Sequence, residues 1–213
     1  MKKIIAVFLS AALLLSVLAA APYTVSAANT TAEEAVGESN GTTGDCCWIL
    51  DDDGVLTIYG NGKMGDYSSS IAAPWEKSIK SVVIEQGVTS IGKGAFNGCT
   101  KITRMEIPDS VTSIGDDAFY KCTGLKSVNI PDSVKSIGDG AFSNCTELTS
   151  VEIPDSVTSI GAFSFSCCTG LTNMVIPDFV TSIGISAFNG CTGLTNVEIG
   201  NSVTSISFDA FYG

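Results

Sequence analysis

The sequence predicts a single curved solenoid, mostly β, with a parallel sheet along one side. Three series of residues carry that prediction. Ile84, Ile107, Ile130, Ile153, Ile176 and Ile199 follow one another at a step of 23 residues. Phe96, Phe119, Phe142, Phe165, Phe188 and Phe211 keep the same step, and so do Cys99, Cys122, Cys145, Cys168 and Cys191. A fixed period of roughly 20–50 residues marks one supersecondary unit, copied and stacked. Such a unit cannot bury its apolar face alone, so each copy completes its core against its neighbours. That moves the expected function away from a buried active site and toward surface recognition.

The elements follow in order. Lys2 and Lys3 precede an almost wholly apolar run from Ile4 to Ala21, and Val25-Ser26-Ala27 supplies small residues for cleavage. Residues 1–27 therefore read as an export signal. The alternative is an uncleaved membrane anchor, since the run approaches spanning length; the cleavage site argues for removal. No second apolar run is long enough to span. Residues 28–45, rich in Thr, Glu, Gly, Ser and Asn, are expected to be a disordered, solvated leader with no reason to fold. Cys46 to Leu50 and Val55 to Tyr59 are short apolar runs joined by Asp51-Asp52-Asp53-Gly54, which predicts a β-hairpin. Residues 46–78 are thus the N-terminal cap and lead-in, with Trp75 against the edge of the first repeat. A solenoid needs such an atypical first unit.

Residues 79–213 hold six repeats, the last incomplete. In the third, Val128 and Ile130 alternate with Ser127 and Asn129, the pattern of a half-buried strand. Pro131-Asp132 turns the chain, with proline expected at the second turn position. Val134 and Ile137 return to the core, Gly138 marks a further turn, and Ala141-Phe142 packs inward on a single helical turn. Cys145 closes the coil. Stacked coils place their strands about 4.8 Å apart.

The pattern Leu-x-x-Val-x-Ile-Pro-x-x-Val-x-x-Ile-Gly-x-x-Ala-Phe-x-x-Cys resembles the BspA-type leucine-rich repeat of bacterial and protist surface proteins. The match covers residues 79–213, and the stretch from Trp48 to Met64 with Ala73-Pro74-Trp75 is similar to the lead-in such proteins carry. The resemblance implies a leucine-rich-repeat solenoid, a right-handed superhelix of β/α type. It also implies export, display at a cell surface, and use in adhesion or protein binding. It brings no catalytic residues. One departure is that the sixth copy stops at Gly213, where a cysteine would come next; a truncated chain is the preferred explanation, because terminal repeats normally carry a polar cap.

Composition narrows the partners. Removing the signal takes away Lys2 and Lys3, leaving 9 basic residues against 22 acidic ones, a net charge of −13. Nucleic acid is therefore a poor partner, and so is an anionic membrane. After Lys135 no basic residue follows. Histidine is absent, which removes the commonest general base and metal ligand at neutral pH. No cofactor and no metal is expected.

Several groups are candidates for chemistry. The five periodic cysteines sit at an apolar position and are expected to be buried thiols, although an exported chain favours disulfides. The adjacent pairs Cys46-Cys47 and Cys167-Cys168 lack the spacing of zinc hooks. Asp109, Asp132, Asp155 and Asp178 form a column that could hold calcium, but turn chemistry after proline explains them. Glu106, Glu152 and Glu198 stand on alternate strands, each two rungs or roughly 9.6 Å from the next, near the upper limit for an inverting glycosidase pair. An open sheet face offers no pocket for that chemistry.

Two surfaces remain. The outward strand column reads Val83, Glu106, Asn129, Glu152, Val175 and Glu198; it varies while the core columns barely do, and it is the expected ligand-binding site on a concave face. Phe163, Phe179, Ile185 and Phe208 are expected to form an apolar patch over repeats four to six, a site for a partner or for self-association. The predicted function is non-catalytic recognition of an extracellular protein or cell-surface ligand by a secreted or surface-held chain. The alternatives are a structural spacer and, more weakly, the non-catalytic part of a secreted enzyme.

Overall fold

The structure is a computed structural model that describes residues 39–68, 70–75 and 79–213. The expected export signal and residues 28–38 of the leader lie outside the described residues. The N-terminal strands are β1 (Ser39–Thr43), β2 (Cys46–Leu50), β3 (Val55–Gly60) and β4 (Gly62–Lys63). Each repeat then adds a first and a second strand. These are β5 (Ser81–Ile84) and β6 (Val88–Ile91), β7 (Arg104–Glu106) and β8 (Ser113–Ile114), β9 (Ser127–Asn129) and β10 (Ser136–Ile137). They continue as β11 (Ser150–Glu152) and β12 (Ser159–Ile160), β13 (Asn173–Ile176) and β14 (Ser182–Ile183), β15 (Asn196–Ile199) and β16 (Ser205–Ile206).

The chain is a β-solenoid. Its longest sheet is made by the second strands, seven of them in the order β4-β6-β8-β10-β12-β14-β16, all parallel. The first strands lie in three groups: β1-β2-β3-β5, then β7-β9-β11, then β13-β15. Identical residues meet across the rungs: Ile114 pairs Ile137, and Ile160 pairs Ile183. The period of the sequence is therefore the register of the sheet.

Each proline ends its strand, because it has no N–H to give the ladder. Its turn differs from expectation. The Pro131 carbonyl accepts from the Val134 N–H at 3.0 Å, and Pro108, Pro154 and Pro177 do the same for their own valines. Proline is thus the first residue of the turn, not the second.

The remaining side corrects a second expectation. No helix occurs among the described residues, including around Ala141-Phe142. The N–H groups of Gly140, Phe142 and Asn144 instead reach the next rung, to the carbonyls of Ala162, Ser164 and Ser166 at 2.8, 2.8 and 2.7 Å. Ala141, Ser143 and Cys145 close tight turns in between, donating to residues three earlier. The cause is the backbone: φ is +63° at Gly140 and +60° at Asn144. Left-handed residues at such intervals cannot continue a right-handed helix.

The core is a stack of equivalent side chains. Phe96, Phe119, Phe142, Phe165 and Phe188 are buried, with neighbouring rings 5.1–5.4 Å apart and nearly parallel. Trp75 extends the stack at the N-terminal end, 5.9 Å from Phe96. That contact exposes an unexpected coil. Leu56 pairs Val82, Ile58 pairs Ile84, and Lys63 pairs Ser90. The Tyr67 N–H meets the Lys93 carbonyl at 2.7 Å, as that of Gly94 meets Asp116 at 2.8 Å. The described residues between Val55 and Trp75 therefore follow the path of one coil, with tryptophan in the phenylalanine place.

The hairpin caps that coil, with a third strand added. Residues 39–43 belong to the expected leader, yet they form β1, pairing antiparallel with β2 from Ser39–Leu50 to Thr43–Cys46. An edge strand is held by its backbone bonds and needs little apolar surface of its own. Only Thr43 is buried within it, and its hydroxyl accepts from the Gly65 N–H at 3.0 Å and the Tyr67 O–H at 2.6 Å. At the other end Ile199 and Ile206 are 44% and 51% exposed, whereas Ile176 and Ile183 beneath them are buried.

Candidate binding surfaces

The alternation of each first strand sends one residue inward and its neighbours outward. Val128 is buried while Asn129 is exposed. All six residues of the expected outward column, Val83, Glu106, Asn129, Glu152, Val175 and Glu198, are exposed. The pairing places Glu106 and Glu152 on either side of Asn129, and Val175 beside Glu198. Thr57 begins the same column, because it pairs Val83. A shallow groove of about 380 Å³ crosses the middle of this face, lined by Arg104, Ser127, Asn129, Ser150 and Glu152 among others. Arg104 and Glu106 form an ion pair at 2.7 Å, with both side chains open to water. Such a pair contributes at most about 1 kcal/mol, so both groups are available to a partner. Glu106 and Glu152 stand on an open face without the enclosure that glycoside hydrolysis needs.

The expected apolar patch is brought together only in part. The Phe163 N–H donates to the Ile185 carbonyl at 2.8 Å, and the Ser186 N–H to that of Phe208 at 3.0 Å. Phe163, Ile185 and Phe208 thus follow one another on consecutive rungs, and Phe208 is 77% exposed. Phe179 stands on a different corner, in the turn after β13, and is 60% exposed. Serine holds that turn position in other copies: Ser110, Ser133 and Ser156 donate to the carbonyls of Val88, Val111 and Val134. Phe179 cannot make that bond.

The aspartates are largely structural. Asp116 Oδ1 accepts the Asp139 N–H at 3.1 Å, Asp139 Oδ1 that of Ala162 at 2.7 Å, and Asp66 Oδ1 that of Lys93 at 2.8 Å. Asp178, in the proline turn, does the same for Asn201 at 2.7 Å. The cysteines have a similar task. The thiols of Cys122, Cys145, Cys168 and Cys191 donate to the carbonyls of Phe96, Phe119, Phe142 and Phe165 at 3.1–3.2 Å. Burial pushes the Cys191 thiol up to about 11, and those of Cys122, Cys145 and Cys168 well above their usual value. A nucleophile needs the opposite shift. Cysteine at this position is therefore more than a small apolar filler, since it satisfies a carbonyl on the preceding rung.

Comparison with known proteins decides the family. A family profile described as BspA type Leucine rich repeat region (6 copies) matches residues 74–175 and 112–213. The chain belongs to the BspA-type leucine-rich repeat family. Among solved structures it is similar to a leucine rich cell surface protein from Faecalibacterium prausnitzii, with 35% identity and a TM-score of 0.58. That match covers 82% of this chain and 46% of the other, so the chain spans about half that relative's length. It is also similar to a leucine rich repeat protein of T. pallidum, at 29% identity and a TM-score of 0.57, over 79% of this chain and 82% of the other. No curated protein matches. The BspA-type chain is thus a repeat protein of surface-protein type. No helix among its described residues is long and apolar enough to cross a membrane.

The lead-in coil does not keep the 23-residue interval of the repeats. Asp66 and Lys93 hold equivalent places 27 residues apart, not 23. The signal was chemical instead: Gly65-Asp66 repeats the glycine–polar step of Gly115-Asp116.

Proposed function

We propose that this chain is an exported, non-catalytic recognition module that binds an extracellular protein or cell-surface ligand, in adhesion or a related contact. The observation that carries the reading is the outward column of the first strands. Its neighbours in the core keep Val or Met and Ile at every rung, while the column itself changes from Val83 through Glu106, Asn129 and Glu152 to Val175 and Glu198. A scaffold that only had to stack would need nothing particular there. The middle of the column presents Glu106, Asn129 and Glu152 at rung spacing, with an exposed valine on either side, and Glu198 adds a third carboxylate beyond Val175. Extended partners suit such a surface, and the cell-surface description of the Faecalibacterium relative agrees with it.

A spacer that holds another domain away from a cell is the second reading, and the uniform core is the observation in its favour. Binding measurements separate the two. The full chain should bind at least one member of a panel of host extracellular proteins and cell-wall glycans. A variant with Glu106, Asn129 and Glu152 changed to lysine should lose that partner while keeping the wild-type circular dichroism spectrum. Equal binding by both proteins would move the site elsewhere. Absence of binding by either folded protein would favour the spacer.

A further inference from the structure

In an exported chain, Asn-x-Ser/Thr is the acceptor triplet for an N-linked glycan. The sequence holds three: Asn29-Thr30-Thr31, Asn40-Gly41-Thr42 and Asn144-Cys145-Thr146. The first lies outside the described residues. The fold treats the other two in opposite ways.

Asn144 is built into the stack. Its N–H donates to the Ser166 carbonyl at 2.7 Å, and its side-chain amide donates to the Ser143 hydroxyl at 3.0 Å. Its φ of +60° is one that asparagine tolerates better than most residues. The middle residue of its triplet, Cys145, is fully buried. Turn geometry therefore accounts for this asparagine.

Asn40 has no such explanation. It sits in β1, although asparagine is depleted in strands. Its side chain is exposed and meets no partner among the described residues. Thr42 is exposed too, and two residues along a strand put its hydroxyl on the same face as the Asn40 amide. Gly41 between them has a structural task, because a Cβ there would lie 2.9 Å from Trp48 Nε1. The triplet thus presents its amide and its hydroxyl to water, while its middle residue serves the cap. β1 is also the outermost strand of its sheet, paired only with β2. Such a strand can lift toward an enzyme at lower cost than a central one.

The register fixes where a glycan would stand. Asn40 pairs Ile49, Ile49 pairs Thr57, and Thr57 pairs Val83. Asn40 therefore heads the outward column, about 14 Å from Val83 at the usual strand spacing. A bulky polar group there would also shield the free edge of β1 from pairing with another chain. We propose that Asn40 is the acceptor of an N-linked glycan, an inference that rests on the reading of the chain as exported. In the transfer, Nδ2 bonds to C1 of the first sugar of a lipid-linked oligosaccharyl diphosphate. The bond from C1 to the diphosphate oxygen breaks, its electron pair leaves with the diphosphate, and Nδ2 gives up one proton.

The test uses the folded chain, a purified oligosaccharyltransferase that recognises Asn-x-Ser/Thr, and a lipid-linked oligosaccharide. The chain should gain the mass of one oligosaccharide, and peptide mapping should place it on Asn40 and not on Asn144. A synthetic peptide spanning residues 140–150 should accept the sugar, although Asn144 in the fold does not. Thr42→Ser should keep the transfer, whereas Asn40→Gln and Thr42→Ala should abolish it; all three changes fall at exposed positions and should leave folding intact. No transfer to Asn40 of the folded chain would overturn the proposal. Modification of Asn144 at an equal rate would overturn it as well, because the fold would then not choose between the triplets. Since the enzyme is supplied in solution, either failure leaves the export reading and the binding column as they stand.

Discussion

Phe142→Ala should destabilise the protein by about 3–5 kcal/mol, the range for truncating a buried aromatic. Phe142 is 0% exposed and sits at the middle of the ring stack, 5.1 Å from Phe119 and 5.4 Å from Phe165. Its removal opens a cavity bounded by rings that the hydrogen-bonded rungs hold at fixed spacing, so collapse is difficult. Two stacked contacts, each contributing about 0.5–1.5 kcal/mol beyond area burial, are lost as well. The unfolding midpoint should fall by on the order of 10 °C. Phe211→Ala, in the partly exposed last coil, should cost much less. Thermal denaturation of both variants checks the order. Equal losses would mean that the stack does not bear stability where the structure places it.

Gly138→Ala should cost about 3 kcal/mol, at the upper end of overpacking, although it adds one methyl group to a residue of ordinary φ. A Cβ at Gly138 would lie 2.6 Å from the Asp116 nitrogen and 2.7 Å from both Asp116 Oδ1 and the Gly115 carbonyl carbon. Two of those atoms are backbone of the preceding rung, so no side-chain rotation relieves the overlap. Glycine fills this place in every coil from Gly65 through Gly92, Gly115, Gly138, Gly161 and Gly184; Ser207 replaces it in the last. The natural control is Ser207→Ala, which should change stability by less than about 0.5 kcal/mol. Urea titrations of the pair give the comparison, and a neutral Gly138→Ala would show that the coils can part at that corner.

Much of this was legible in the chain itself. The isoleucine, phenylalanine and cysteine series name core columns directly, because a side chain repeated at a fixed step in a solenoid always faces the same neighbours. The outward position of Glu106 and Asn129 follows from alternation around Met105 and Val128. What escaped had physical causes. The turn around Ala141-Phe142 looks helical in one dimension, since its apolar pair and flanking polar residues suit a short helix; left-handed φ at Gly140 and Asn144 and bonding to the next rung decide otherwise. Asparagine is one of the residues most tolerant of that conformation, so the second signal was present but weak. Ser39–Thr43 carries no apolar signal, because an edge strand is recruited by its partner's backbone. The lead-in coil broke period by four residues and exchanged phenylalanine for Trp75. Ile185 and Phe208 are legible as one column that turns from charged to apolar, whereas Phe163 and Phe179 stand out only as large residues where other copies carry Asp, Gly or Ser.

One physical claim underlies the fold as described: the turn segments belong to the hydrogen-bonded stack, so outward side chains are held at rung spacing on the turn side as well as on the strands. Residue-resolved amide hydrogen exchange tests it most directly. The N–H groups of Gly140, Phe142 and Asn144 should be protected to within about tenfold of Lys135 and Gly138, which bond to the preceding rung through Thr112 and Ile114. Exchange at those three positions that is faster by orders of magnitude, with Lys135 and Gly138 still protected, would contradict it: the turn side would then be a loose loop rather than a wall.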